Sequence, residues 1–264
     1  MNFEKEFEAP NPDQYQPRYP LDFSKTSTLG KRIMGHFIEA LRTRVAEEQR
    51  KERYGEYLQH FYDSGYDKKL LTRAEQLAEE VYTIHSKQEP QHLRQIDIFL
   101  HHNFNSLLDH FIIRHCKHLN AFHLPEAILR YDEVRQGEFE LEKMIWDFLH
   151  FEQEEEEVFT DFLAMPVNKI KHASMSFLFP EKDEKILLIC DQTVFGSCKE
   201  GFAMTDRALY WKAHFEKAKK VSYRELEAIQ REKDWITING NFFNVNPSLN
   251  IKMLKLLRKL RAVY

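Results

Sequence analysis

The sequence predicts an α+β protein: an N-terminal all-α helical bundle, then an antiparallel β-barrel or sandwich capped by a C-terminal helix. Three observations predict it. Apolar residues recur every fourth position from Leu29, the period changes after Pro166, and two tight turns, Thr205-Asp206-Arg207 and Asn239-Gly240, each separate short apolar runs.

The 264 residues are 42% hydrophobic and 30% charged, a globular composition, and no uninterrupted apolar run approaches the roughly 20 residues that span a bilayer. The opening MNFEKEFEAP lacks the apolar core of a secretory signal, and three cysteines cannot all pair within one chain. The expected compartment is therefore a reducing cytoplasm, with Cys116, Cys190 and Cys198 as free thiols. Length allows one or two domains. From Pro166 onward 18 basic residues stand against 11 acidic ones, while the first 165 residues hold 20 against 31. This split supports a boundary near Pro166, and opposite fields would steer the halves together or toward different partners; ordinary surface charge is the alternative.

Residues 1–25 read as an extended arm. Four prolines between positions 10 and 20 disfavour helix, so a disordered tail is expected, with packing through Tyr15 and Tyr19 as the alternative. The bundle is expected over 26–165. Ser27 or Thr28 caps its first helix, whose stripe is Leu29, Ile33, Phe37, Leu41 and Val45, and which runs on, with or without a break at Gly55, to Asp63-Ser64-Gly65. A second helix covers about 68–87, a third 90–119, a short fourth follows Pro125, and a fifth covers 138–163. Residues 166–184 read as a linker or the first part of the next domain.

Strands are expected at 185–191, 201–204, 208–211, 219–221, 226–230 and 235–238, with a further run after Asn239-Gly240, where both residues tolerate positive φ. Asn246-Pro247-Ser248 then opens the last helix. Within 185–264, Asp191, Thr193, Phe195-Gly196-Ser197, Lys199-Glu200-Gly201-Phe202, Thr205-Asp206 and Leu209-Tyr210 resemble the PH-like (GRAM-like) domains found in bacterial proteins. The resemblance covers about the last third of the chain. It implies a barrel with one end plugged by the C-terminal helix, and by analogy a binding role. For the helical half we name no family resemblance.

Inside that motif Gly196, Gly201, Thr205 and Asp206 are explained by turns. Lys199 and Arg207 are the exposed binding candidates, and loop 195–199 would hold an anion through backbone amides and Lys199. The last helix carries the apolar stripe Leu249, Met253, Leu256, Leu257, Leu260 and Tyr264, together with Lys252, Lys255, Arg258, Lys259 and Arg261. These five cations are candidates for anionic lipid headgroups or for the acidic residues 154–157. The alternative is that the stripe is core and the cations serve the helix dipole. The acidic run itself reads as a solvated face of the fifth helix.

Thirteen histidines include six between positions 101 and 123. On a helix Asp97 shares a face with His101, and His115 with His118, but two ligands do not make a metal site and no HExxH or paired CxxC completes one. No cofactor and no catalytic residue is assigned. The expectation is a non-enzymatic binding or adaptor protein whose PH-like module docks a protein partner or an anionic headgroup. A homo-oligomer is compatible, and overall acidity disfavours nucleic acid. The competing readings are a metal-dependent enzyme using the third helix and a structural subunit of an oligomer.

Overall fold

A computed structural model describes residues 15–135 and 137–264. Helices occupy the N-terminal part, antiparallel strands the C-terminal part, and the last element is a helix. Two compact units result, Met1–Ala121 and Phe122–Tyr264. No helix among the described residues is long and apolar enough to cross a membrane.

The first unit is built on α1 (Leu29–Glu48), α2 (Tyr54–Asp63), α3 (Tyr66–Ser86) and α4 (His92–His110). The stripe from Leu29 to Val45 is fully buried and packs on α3 through Leu70, Ala74, Leu77 and Val81. Phe37 meets Phe61 of α2 and Phe104 of α4 with ring centroids 6.1 and 5.8 Å apart. A half-buried polar knot joins α1 to α4: Arg44 donates to Asp109 and Asn105, each at 2.5 Å, and pairs with the buried Glu48 at 3.3 Å. Burial alone would lower the Arg44 pKa, but the neighbouring Glu48 and Asp109 carboxylates outweigh that and raise it.

For the described part of the arm, the packed alternative through Tyr15 and Tyr19 is the one found. Residues 1–14 lie outside the described residues, but residues 15–19 are packed on α4. The Asp97 carboxylate accepts the Tyr15 hydroxyl at 2.6 Å and the backbone N–H groups of Arg18 and Tyr19 at 2.9 Å each. One carboxylate thus collects three donors of the arm, and hydrogen bonds to an ionised acceptor are the stronger kind. The long first helix is also two helices. Its break falls at residues 49–53, where the buried Gln49 side chain accepts the Ala121 N–H, and Gly55 lies inside α2.

The second unit holds α5 (Leu141–Leu149), β1 (Glu157–Phe159), α6 (Val167–Ser176), β2 (Ile186–Asp191), β3 (Gly201–Thr205), β4 (Ala208–Lys212), β5 (Lys219–Ser222), β6 (Ile229–Glu232), β7 (Trp235–Ile238), β8 (Asn241–Phe243) and α7 (Pro247–Val263). The first five strands form one antiparallel sheet in chain order, and β6 to β8 form a second. The turn joining β7 to β8 uses the expected left-handed pair, Asn239 at φ 47° and Gly240 at φ 76°. Asn246 caps α7 by accepting the Leu249 N–H at 2.8 Å, with Pro247 in the first turn. The buried stripe of α7 packs on β6, β7 and α5.

Three segments depart from expectation in this unit. The fifth helix ends at Leu149 because His150 takes a left-handed conformation, φ 46°, and the chain beyond it pairs as β1 with β2. Residues 166–184 contain a real helix, α6, whose Ala173, with Phe177 just beyond its end, packs on Ile189, Ala203 and Tyr210 of the large sheet. The division between units falls at 121/122 rather than near Pro166, since α5 packs on α7 and β1 on β2.

Gly201 marks a tight point in the sheet. It sits at φ 138°, and an added Cβ would overlap the Cys190 carbonyl oxygen. Gly35, in α1, has open space around it. Gly201→Ala is expected to lose about 1–3 kcal/mol or more, whereas Gly35→Ala is expected to gain about 0.5–1 kcal/mol, both read from urea unfolding midpoints.

Candidate functional site

The acidic run 154–157 lies in the second unit against the start of α7 and is not the solvated helical face expected of it. The Glu154 carboxylate accepts Lys252 Nζ at 2.5 Å, Ser248 Oγ at 2.7 Å and Asn246 Nδ2 at 3.1 Å. The side chains of Lys252 and Glu154 are only 1% and 6% exposed. Glu156 accepts the Asn246 amide at 2.8 Å, and Glu157 pairs with Lys169 of α6. Only Glu155 is both exposed and outside these contacts. Burial would raise the Glu154 carboxyl, but the hydrogen bonds from Lys252, Ser248 and Asn246 outweigh it and hold the group below its ordinary value.

The five cations of α7 are therefore not a free basic surface. Lys252 and Lys255 are buried. Arg258, Lys259 and Arg261 donate to the backbone carbonyls of Ile229, Asp132 and Glu227 at 3.4, 3.1 and 2.7 Å. Two of the expected readings are realised together: the apolar stripe is core, and Lys252 meets Glu154 of the acidic run, while Arg258, Lys259 and Arg261 satisfy carbonyls. Lys199 and Arg207 are exposed, but they flank opposite ends of β3, about 17 Å of strand apart. Arg207 also donates to Asp183 at 2.7 Å.

Loop 192–198 connects β2 to β3 and contains the feature sequence reasoning overlooked. Its amides do not await an anion, because the protein supplies its own acceptors. Asp191 accepts the Thr193 N–H at 2.9 Å and hydroxyl at 2.6 Å, and the Cys198 N–H at 3.1 Å. Thr193 Oγ1 accepts the Ser197 N–H at 2.6 Å, and His172 of α6 bonds the Ser197 carbonyl at 2.8 Å. This pinned loop holds Val194 at 92% and Phe195 at 96% exposure. Beside it lies an open cleft of about 370 Å³ lined by Glu155, Glu156, Glu157, Gln192 and Val245.

No family model, curated protein or solved structure matches the chain.

The remaining candidates are accounted for by structure. Among the described residues no group of three or more His, Cys, Asp and Glu side chains is placed to hold a metal ion. Asp97 and His101 share a face as expected, but Asp97 holds the arm and His101 Nδ1 meets the Tyr19 hydroxyl at 3.0 Å. The three cysteines are free and buried, and burial pushes the Cys116 and Cys198 thiols up to about 12, far from nucleophilic reactivity near neutral pH. A larger depression in the first unit, about 610 Å³, is bordered by Asp22, Lys31 and Arg32, a mixed set that selects no ligand charge. The sequence signal for the loop was an apolar pair set between turn formers, Thr193-Val194-Phe195-Gly196-Ser197, which no strand or helix needs.

Glu154 gives the second unit a predictable acid sensitivity. Its folded-state pKa is depressed, so its stabilisation is complete above the ordinary value of 4.5 and is lost as pH falls through the folded value. Glu184, which accepts from Thr205 and Tyr210, acts in the same direction. All three tryptophans, Trp146, Trp211 and Trp235, lie in this unit. Tryptophan-monitored urea midpoints should fall steadily below about pH 4.5, and Glu154→Gln should flatten part of that slope.

Proposed function

We propose that this chain is an intracellular, non-enzymatic docking protein whose second unit is a PH-like module. In this reading the module binds a protein partner on the face formed by loop 192–198 and the neighbouring edge of the sheet. The PH-like assignment draws support from two antiparallel sheets followed by a C-terminal helix whose apolar stripe packs on β6 and β7.

One observation carries the docking reading: Val194 and Phe195 stand almost fully in water on a loop whose own hydrogen bonds pin it. Exposed apolar side chains gain about 1.5–3 kcal/mol each when a partner buries them. A loop already ordered by Asp191 and Thr193 avoids most of the entropy cost that docking otherwise carries. Leu163 and Val167, also exposed, lie where the chain enters α6, and Lys169 of that helix comes within ion-pair distance of Asp191 at 3.6 Å. Anionic headgroups are the weaker ligand class, because the cations of α7 are engaged internally and Lys199 and Arg207 do not converge.

Val194→Ser/Phe195→Ser removes the apolar pair without touching a buried contact, so circular dichroism should match wild type. In parallel capture experiments from cell extract, the intact wild-type chain is expected to retain a stoichiometric protein that the variant loses. Equal capture by both, or flotation with phosphatidylserine vesicles that Lys199→Ala abolishes, would contradict protein docking at this face.

A further inference from the structure

The two outer strands of the large sheet carry opposite charge. β1 and the residues before it carry Glu155 and Glu157 exposed at one edge, Glu157 also pairing with Lys169 of α6, while Glu156 is bonded to Asn246. At the other edge β5 and the preceding loop carry exposed Lys217 and half-exposed Lys219, while Lys220 pairs with Glu181 and Glu184 of the same chain. Among the described residues no backbone hydrogen bond joins the outer side of either strand to another segment. Each edge also has an exposed aromatic residue in the adjoining loop: Phe195 beyond β2 and, at 93% exposure, Phe215 before β5.

The register places these features in one row. Glu157 lies opposite Asp191, Asp191 opposite Gly201, Gly201 opposite Lys212, and Trp211 opposite Lys219. The acidic start of β1 and the basic start of β5 are therefore at the same end of the sheet. Four antiparallel steps separate the strands, so β1 and β5 run in the same direction. A second copy displaced sideways across the sheet would continue it with a parallel pair, setting Lys217 and Lys219 of one copy beside Glu155 and Glu157 of the next.

We propose that the occupant of the docking face is a second copy of this chain, bound head to tail through β5 against β1. This rests on the docking reading and names its partner. Unpaired edges are templates for strand addition, and like-charged edges resist pairing with themselves. Here β1 against β1 opposes carboxylates and β5 against β5 opposes ammonium groups, while β1 against β5 alone joins opposite signs. The contact is heterologous, using a different surface on each copy, so it extends into a ring or an open filament according to the rotation that the sheet twist imposes. Surface charge pairs are screened, so the association is salt-sensitive.

Sedimentation velocity on the full chain tests this. Wild type should gain mass with concentration at about 50 mM salt and lose it at about 500 mM, where the Debye length shrinks below about 5 Å. Lys217→Glu/Lys219→Glu leaves both edges acidic, and Glu155→Lys/Glu157→Lys leaves both basic; each variant alone should remain monomeric. An equimolar mixture should associate again, an outcome that loss of folding in either variant would not give. Wild type that stays monomeric throughout, or a mixture that fails to associate although both variants keep wild-type circular dichroism, overturns the proposal. If wild type is monomeric but Val194→Ser/Phe195→Ser still loses a captured protein, self-association fails and the docking face stands.

Discussion

A buried ion pair, Glu154 with Lys252, organises the second unit. The two residues are 98 positions apart, and their 2.5 Å contact ties the segment after α5 to the first turns of the terminal helix. Two charges taken out of water are costly unless geometry and additional hydrogen bonds compensate. Here Ser248 and Asn246 supply those bonds from the helix N-terminus, where a carboxylate is also favoured by the dipole. Asn246 simultaneously caps the helix and bonds Glu154 and Glu156, so cap, ion pair and the approach to β1 form one network. The interior face of α7 and the start of the large sheet are held in place by it.

That network decides which charges remain available outside. A basic terminal helix and an acidic run look, separately, like two binding surfaces. In the folded unit Lys252 and Glu154 neutralise each other inside, and Arg258, Lys259 and Arg261 satisfy carbonyls. Among the charges that stay outside are Glu155 beside β1 and Lys217 beside β5, while loop 192–198 is uncharged. There Asp191 does for the loop what Glu154 does for the helix: a carboxylate collects backbone donors and fixes the chain, leaving Val194 and Phe195 exposed on a rigid support.

Local chemistry was legible wherever partners are close in sequence. The stripe of α1, the Asn239-Gly240 turn, the hairpin of β3 with β4 and the Asn246-Pro247 helix start all depend on residues within a turn or two of one another. The run 154–157 was legible only in part: it was named as one possible contact of the α7 cations, but four consecutive glutamates look solvated, and nothing local shows that Lys252, nearly a hundred residues later, pairs with Glu154 in the interior. The arm was hidden in the same way, since its donors converge on Asp97, about eighty positions away. α6 was missed because its buried face is only Ala173 and half-buried neighbours, too weak a stripe to separate from a linker. Val194 and Phe195 carried a signal in their apolar character between turn formers, which the strand pattern around them obscured.

The claim that Glu154 and Lys252 are coupled across the unit is tested most directly by a double-mutant cycle with Glu154→Gln and Lys252→Met, followed by tryptophan fluorescence in urea. Each single substitution is predicted to cost about 3–5 kcal/mol, because it strands the other charge in the interior. The double variant should cost less than the sum of the two by about 2–3 kcal/mol. Single costs below about 1 kcal/mol that simply add, as for a solvent-exposed pair, would contradict the account.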